Sequence, residues 1–325
     1  MRKLWSTIGF ILLFLLLITG CSSGGNGQSS GNKKMDLKMG TEPWIGYGPW
    51  WIAEEKGIFK KNGINMEITM FKQDADINAA FASDKIQFAN IASHTAMKMI
   101  ANNDINLKTI VFMDESATAD AVITTSKYKD LESLKGKKVA FEEGTTSDLL
   151  FRQAIKEQGL TPKDFNVVYM AASDAGLALI SHKVDAAVTY EPYIAEIVKK
   201  DKSVHRIYTG KDSPGLISDM TAVKADYLED HPDIKTKMQK VWDEAMDYWK
   251  AHPEEGNQII ANATGTSDDE LPTILEGVKF FTVNEQKKSL DSGELEKGLD
   301  NIKSILDGQK QLKKDVDTHN ILAID

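Results

Sequence analysis

Apolar and polar positions along this chain change period repeatedly, and the changes mark out its elements. Residues 36–41 read as a strand and 64–71 alternate with period two, the spacing of a half-buried strand. Between them, 49–59 carry apolar residues at helical spacing until Asn62 and Gly63 stop the helix. The series continues with a helix at 76–82, a short apolar strand at 87–92, a helix at 95–101 and a strand at 107–113. A second series runs strand 138–142, helix 147–158, strand 167–170, helix 174–181, strand 185–190, helix 194–199 and strand 204–208. Strand and helix in turn predict an α/β fold with mainly parallel sheets covered by helices. After Asp226 the pattern is helical to the end, and Trp242 and Trp249 share one helix face as packing residues.

Two places break the alternation. Residues 119–125 form a β-branched run followed by a charged, turn-like stretch at 127–138, and Ser213-Pro214-Gly215 bends the chain before the apolar run 216–223. Read as two crossings, they divide the chain into one lobe of 36–122 with 220–325 and a second lobe of 123–219.

The amino-terminal pattern is of another kind. Arg2 and Lys3 precede an almost continuous apolar run at 8–18, which ends in Ile18-Thr19-Gly20-Cys21. The run is shorter than the roughly 20 residues a bilayer requires. It resembles a bacterial lipoprotein signal with its lipobox. That resemblance implies removal of 1–20, acylation of Cys21 and a lipid-anchored place on the extracytoplasmic face of the cell membrane. Cys21 is the single cysteine, so a disulfide framework is excluded, and residues 21–35, rich in Gly, Ser and Asn, read as a flexible tether. Cleavage removes two cations and no acid from a chain of net charge −9, which argues against a nucleic-acid partner.

Candidate chemistry lies where strands hand over to helices. Trp44-Ile45-Gly46-Tyr47-Gly48-Pro49-Trp50-Trp51 holds three of the six tryptophans. Trp51 belongs to the buried face with Ile52, Ile58 and Phe59, whereas Trp44 and Tyr47 sit among glycines and suit packing and ligand contact equally. Gly144-Thr145-Thr146-Ser147 offers free N–H groups and hydroxyls at a helix start, as a cap or as a ligand cradle. Ser93-His94 repeats that position after another strand, where a histidine is also an ordinary hydrogen-bonded structural residue. Tyr190-Glu191 pairs an aromatic ring with a carboxylate, which suits a cationic ligand or a helix N-terminus. Asp219 interrupts an apolar run, where a carboxylate requires a partner or a solvated cleft. The six histidines are scattered without metal-ligand spacing and the glycine turn lacks a phosphate-loop lysine, so neither a metal nor another cofactor is expected.

Taken together, the glycine- and tryptophan-rich turn leading into Ala53-Glu54-Glu55-Lys56-Gly57-Ile58-Phe59, then Asn62-Gly63-Ile64, resembles the solute-binding proteins of nitrate, sulfonate and taurine ABC importers. Leu134-Lys135-Gly136-Lys137-Lys138-Val139-Ala140, Gly144 to Ser147, and Asp185-Ala186-Ala187 into Tyr190-Glu191-Pro192-Tyr193 are similar to segments of that family's second lobe. The resemblance implies a type II periplasmic-binding-protein fold, with two α/β lobes joined by two hinge strands and closing on a small solute. It implies as partners an ABC permease and its ATPase subunit, and no catalytic role. A ligand site of Trp44, Tyr47, Ser93, His94, Thr145, Thr146, Ser147, Tyr190, Glu191 and Asp219 follows. Arginine occurs only as Arg2, Arg152 and Arg206, few candidates for clamping an anion. The aromatic and acidic residues favour a small organic nitrogen compound, with a zwitterion such as an aminosulfonate still compatible. The same superfamily fold also resembles a pyrimidine synthase of thiamine precursor formation, and a ligand-sensing lipoprotein needs the same cleft. Both remain as alternatives.

Overall fold

The computed structural model describes residues 34–324. The signal segment, Cys21 and nearly all of the tether therefore lie outside the described residues. In chain order the first half comprises β1 (Met35–Thr41), α1 (Gly48–Glu55), α2 (Ile58–Lys61), β2 (Ile64–Met70), α3 (Asp74–Ala82), β3 (Phe88–Ala92), α4 (Ser93–Asn103) and β4 (Leu107–Ser116). There follow β5 (Asp120–Thr125), β6 (Lys138–Phe141), α5 (Thr146–Glu157), β7 (Asn166–Tyr169), α6 (Ala172–Ile180), β8 (Ala186–Tyr190), α7 (Tyr193–Lys200) and β9 (Val204–Thr209). The chain then runs through β10 (Ser218–Lys224), α8 (Ala225–Asp230), α9 (Ile234–Ala251), α10 (Pro253–Thr264), α11 (Leu271–Leu275), β11 (Val278–Phe280), α12 (Val283–Asp291), α13 (Glu294–Gly308) and α14 (Thr318–Ile321).

Two sheets result, ordered β11-β4-β10-β3-β1-β2 and β7-β6-β8-β5-β9. Both are mixed rather than mainly parallel. β1 runs parallel to β2 and β3, and β6 to β7 and β8, but β10 opposes β3 and β4, and β5 opposes β8 and β9. β5 and β10 are the strands that follow a change of sheet, so each enters its sheet against the prevailing direction. The changes fall at 117–119 and 210–217. β5 thus lies wholly in the second sheet and straddles the 122/123 boundary expected from sequence.

Two local expectations are corrected, and two glycines are explained. Gly57, at φ 67°, divides the single helix expected over 49–59 into α1 and α2. Gly46 and Gly48 are required by close approach. A Cβ at Gly46 would sit 2.2 Å from Asp114 Oδ2, and one at Gly48 2.5 Å from Ile260 Cδ1. The stretch after Asp226 is not all helix, because β11 joins the edge of the first sheet beside β4.

The cores follow the apolar pattern. Trp50 and Trp242 are fully buried with centroids 5.0 Å apart, and Phe59 stacks on Trp50. Their indole N–H groups are satisfied by Thr221 Oγ1 at 3.1 Å and by the Phe281 carbonyl at 2.8 Å. Trp51, Ile52 and Ile58 are buried as their spacing indicates, while Trp249 is half-buried against Phe280.

Candidate ligand cleft between the two sheets

Strand register brings the site together. Asp219, near the start of β10, pairs with Ala92 at the end of β3 and with Asp114 in β4. Asp120, the first residue of β5, pairs with Tyr190 at the end of β8. Reversed strands therefore place their amino ends beside the carboxyl ends of parallel strands, where an open α/β sheet accepts ligands. Glu42 follows β1 and Glu142 follows β6, so both sheets contribute carboxylates at this level.

The result is a cavity of about 30 Å³, roughly the room for one water, lined by side chains from both halves. The sequence-derived residues Trp44, Tyr47, Thr145, Thr146, Ser147, Tyr190 and Asp219 line it. Glu42, Asp74, Asp120, Glu142 and Ile217 line it as well and were not anticipated. A larger groove of 660 Å³ lies around Glu191, Arg206 and Glu270, but it lacks that convergence of strand ends.

Tyr47 donates to Asp219 Oδ1 at 2.8 Å, and Tyr190 to Glu42 Oε2 at 3.3 Å. The Trp44 indole N–H is shared between the Asp114 oxygens at 3.3 and 3.4 Å, and its ring meets Tyr190 edge-on at 5.9 Å. Thr145 caps α5, accepting from Ser147 N, while Lys98 Nζ donates to the Gly144 carbonyl at 2.6 Å.

Three expected residues are not in the cavity lining. Ser93 is bound to Ser218 at 2.7 Å. His94 is buried and contacts Thr95, and burial followed by the charge of Lys98 pushes its pKa down to about 3, leaving a neutral imidazole. Glu191 accepts from Ala195 N at 2.9 Å, the helix-terminus role, and forms an ion pair with Arg206.

The electrostatics are those of crowded, desolvated acids. Burial and then Asp74 push Glu42 well above the usual carboxylate range, and burial raises Asp74 itself against its hydrogen bond with Glu42. Burial lifts Asp219 to about 8 despite the Tyr47 hydroxyl, and Asp120 and Glu142 each to about 7. Burial and then Asp219 raise Asp114 well above its ordinary value. Among the described residues no group of three or more His, Cys, Asp or Glu is arranged to hold a metal ion. No described helix is long and apolar enough to cross a membrane.

The missed carboxylates left one local trace, since Glu42 and Glu142 each sit just past a strand end. Asp74 opens a helix and Asp120 opens a strand, positions where an acid is ordinary.

Comparison with known proteins fits this geometry. The chain belongs to the NMT1/THI5 like family, whose model matches residues 44–256. It is 21% identical over 251 residues to the taurine-binding periplasmic protein of Escherichia coli (strain K12), spanning 74% of this chain and 77% of that one. A Bacillus subtilis (strain 168) protein provisionally named as aliphatic sulfonates-binding is 24% identical over 281 residues, 83% of this chain and 82% of its own. The alkanesulfonate-binding protein SsuA from Xanthomonas axonopodis pv. citri, solved bound to MOPS, superposes with a TM-score of 0.74 at 14% identity, over 89% of this chain and 98% of that one. The fold is accordingly that of the periplasmic binding proteins.

Proposed function

We propose that this protein is the extracytoplasmic solute-binding component of an ABC importer, capturing a small organic nitrogen compound or a sulfonate. The observation that carries the reading is the cavity between the two sheets, lined from both. In this reading the sheets move as separate lobes hinged at 117–119 and 210–217, so that β5 goes with the second lobe and β10, with Asp219, with the first, a shift of a few residues from the 36–122 with 220–325 and 123–219 expected from sequence. Solute touches both lobes only when they close, so binding shifts the population towards the closed form. The closed form docks on a permease coupled to a separate ATPase, with Cys21 holding the protein to the membrane through its lipid. The chain has no catalytic role in this cycle. Relatives named for taurine and aliphatic sulfonates support the solute-binding role.

The test is a thermal-shift panel on the purified protein, covering sulfonates, nitrate, pyrimidines, amines and amidines, paired with uptake of any hit in cells lacking the gene. A ligand at a hundredfold over its Kd stabilises the protein by about 2.7 kcal/mol. A hit whose uptake is lost on deletion supports import. A hit without an uptake defect favours a sensing role, and a panel without hits removes the solute-binding reading.

A further inference from the structure

The cleft carries a charge pattern that narrows the solute class. Its lining has five carboxylates and no basic side chain: Glu42, Asp74 and Asp219 from the first half, and Asp120 and Glu142 from the second. Neither arginine among the described residues is available as an anion clamp. Arg152 is paired with Asp148 and Arg206 with Glu191. Lys98, outside the lining, donates to the Gly144 carbonyl, and the carboxylates of Asp148, Asp74 and Glu143 already surround its charge.

A sulfonate entering here would find no cation in the lining to balance its charge, and each acid that ionised would repel it. The hydroxyls at the start of α5 do not reverse this, because Thr145 Oγ1 already donates to the Glu142 carbonyl at 2.9 Å. Ser147 is 3% exposed and lines the cavity, and its hydroxyl makes no hydrogen bond to the protein. That hydroxyl is left free towards the cavity, where a ligand can bond it.

Resting on the solute-binding reading above, we propose that the solute is a small planar organic cation of the amidinium or guanidinium type, and that sulfonates are excluded. Paired N–H donors on a flat cation match carboxylates in a fork that a round ammonium lacks. The rings of Trp44 and Tyr190, 5.9 Å apart and nearly perpendicular, offer it an aromatic wall. Since acids come from both halves, closure without a cation brings carboxylates together, and the cation serves as the counter-ion that permits it. With room for about one water in the cavity, a cation of this kind enters by parting the two halves and then holds their acids together.

The experiment is isothermal titration of the purified full-length protein at pH 8 with guanidinium, benzamidine and agmatine. Urea serves as the neutral isostere of guanidinium, and taurine and ethanesulfonate as the anions. The expected result is binding of at least one planar cation, a hundredfold or greater preference for guanidinium over urea, and no heat from either sulfonate. Glu142→Gln and Asp219→Asn, which keep size and an acceptor oxygen, should each weaken cation binding tenfold or more without lowering the melting temperature of the free protein. Binding of taurine or ethanesulfonate without binding of the cations overturns the cation class and leaves the solute-binding reading standing. Equal affinity for guanidinium and urea, or cation binding unchanged in both variants, overturns it as well. Silence from every probe here also overturns it, whereas the wider thermal-shift panel decides the solute-binding reading separately.

Discussion

At the scale of single residues, Glu191 separates a structural carboxylate from a ligand-facing one. It sits next to Tyr190, which lines the cavity, yet its oxygens are taken by Ala195 N and by Arg206. Glu191→Ala should therefore leave ligand affinity within a fewfold and lower stability by about 1–3 kcal/mol, the cost of unpairing buried polar groups. Urea unfolding beside a ligand titration distinguishes this from a binding role, which would reverse the two effects. Gly46 poses the opposite case. Its missing Cβ lets Asp114 and the Trp44 indole meet, since that atom would lie 2.2 Å from one and 2.3 Å from the other. Gly46→Ala should displace Trp44, visible as altered tryptophan fluorescence and a tenfold or greater loss of binding. The aromatic half of the cavity could be read from sequence because Trp44, Tyr47 and Tyr190 stand beside glycine turns and strand ends. Asp74 and Asp120 could not, because an acid at a helix start or a strand end has an ordinary local explanation. Only register and the approach of the two sheets reveal what those acids face.

At the scale of elements, the period of apolar positions located nearly every strand and helix, because each element buries one face and its spacing records that. It failed where burial was not the deciding force. β11 has three residues, too few to show a period, and is held by pairing with β4. The break between α1 and α2 depends on the backbone of Gly57 alone. With nothing within 4 Å of a Cβ there, Gly57→Ala should cost only the left-handed conformation, about 1 kcal/mol. Trp242→Ala in α9 should cost far more, about 3–5 kcal/mol, because that ring is fully buried against Trp50. Trp249, half-buried on the same helix, should cost less when truncated. Chemical denaturation of the three variants ranks them. A Trp249 variant as unstable as the Trp242 one would contradict this account of the helix face.

At the scale of the whole molecule, the two halves meet through a shared apolar cluster, through polar contacts and through the acids between them. Lys98 reaches the Gly144 carbonyl, Tyr190 reaches Glu42, and Lys199 pairs with Glu270 at 3.3 Å. Against these contacts stand Asp219 at about 8 and Asp120 and Glu142 at about 7, all raised above their unfolded values chiefly by burial. A raised carboxylate pKa means that the folded state holds protons the unfolded chain has released. Between about pH 4 and pH 8 these three acids bind more protons in the native protein than in the unfolded one, outweighing the one proton that buried His94 gives up below about pH 6.5, and stability falls as pH rises. The slope is at most about 1.4 kcal/mol per pH unit for each such proton. The ligand-free protein should accordingly melt several degrees higher at pH 5.5 than at pH 8.5, the reverse of a protein held together by ionised salt bridges. Asp219→Asn and Glu142→Gln should flatten that dependence by removing protons from the balance. A bound cation should also flatten it, because it replaces those protons as the counter-charge. Melting curves across this range, with and without benzamidine, read all three effects. A free protein that gains stability steadily towards pH 8.5 would show that the cleft acids are solvated and that the closed form does not depend on neutralising them.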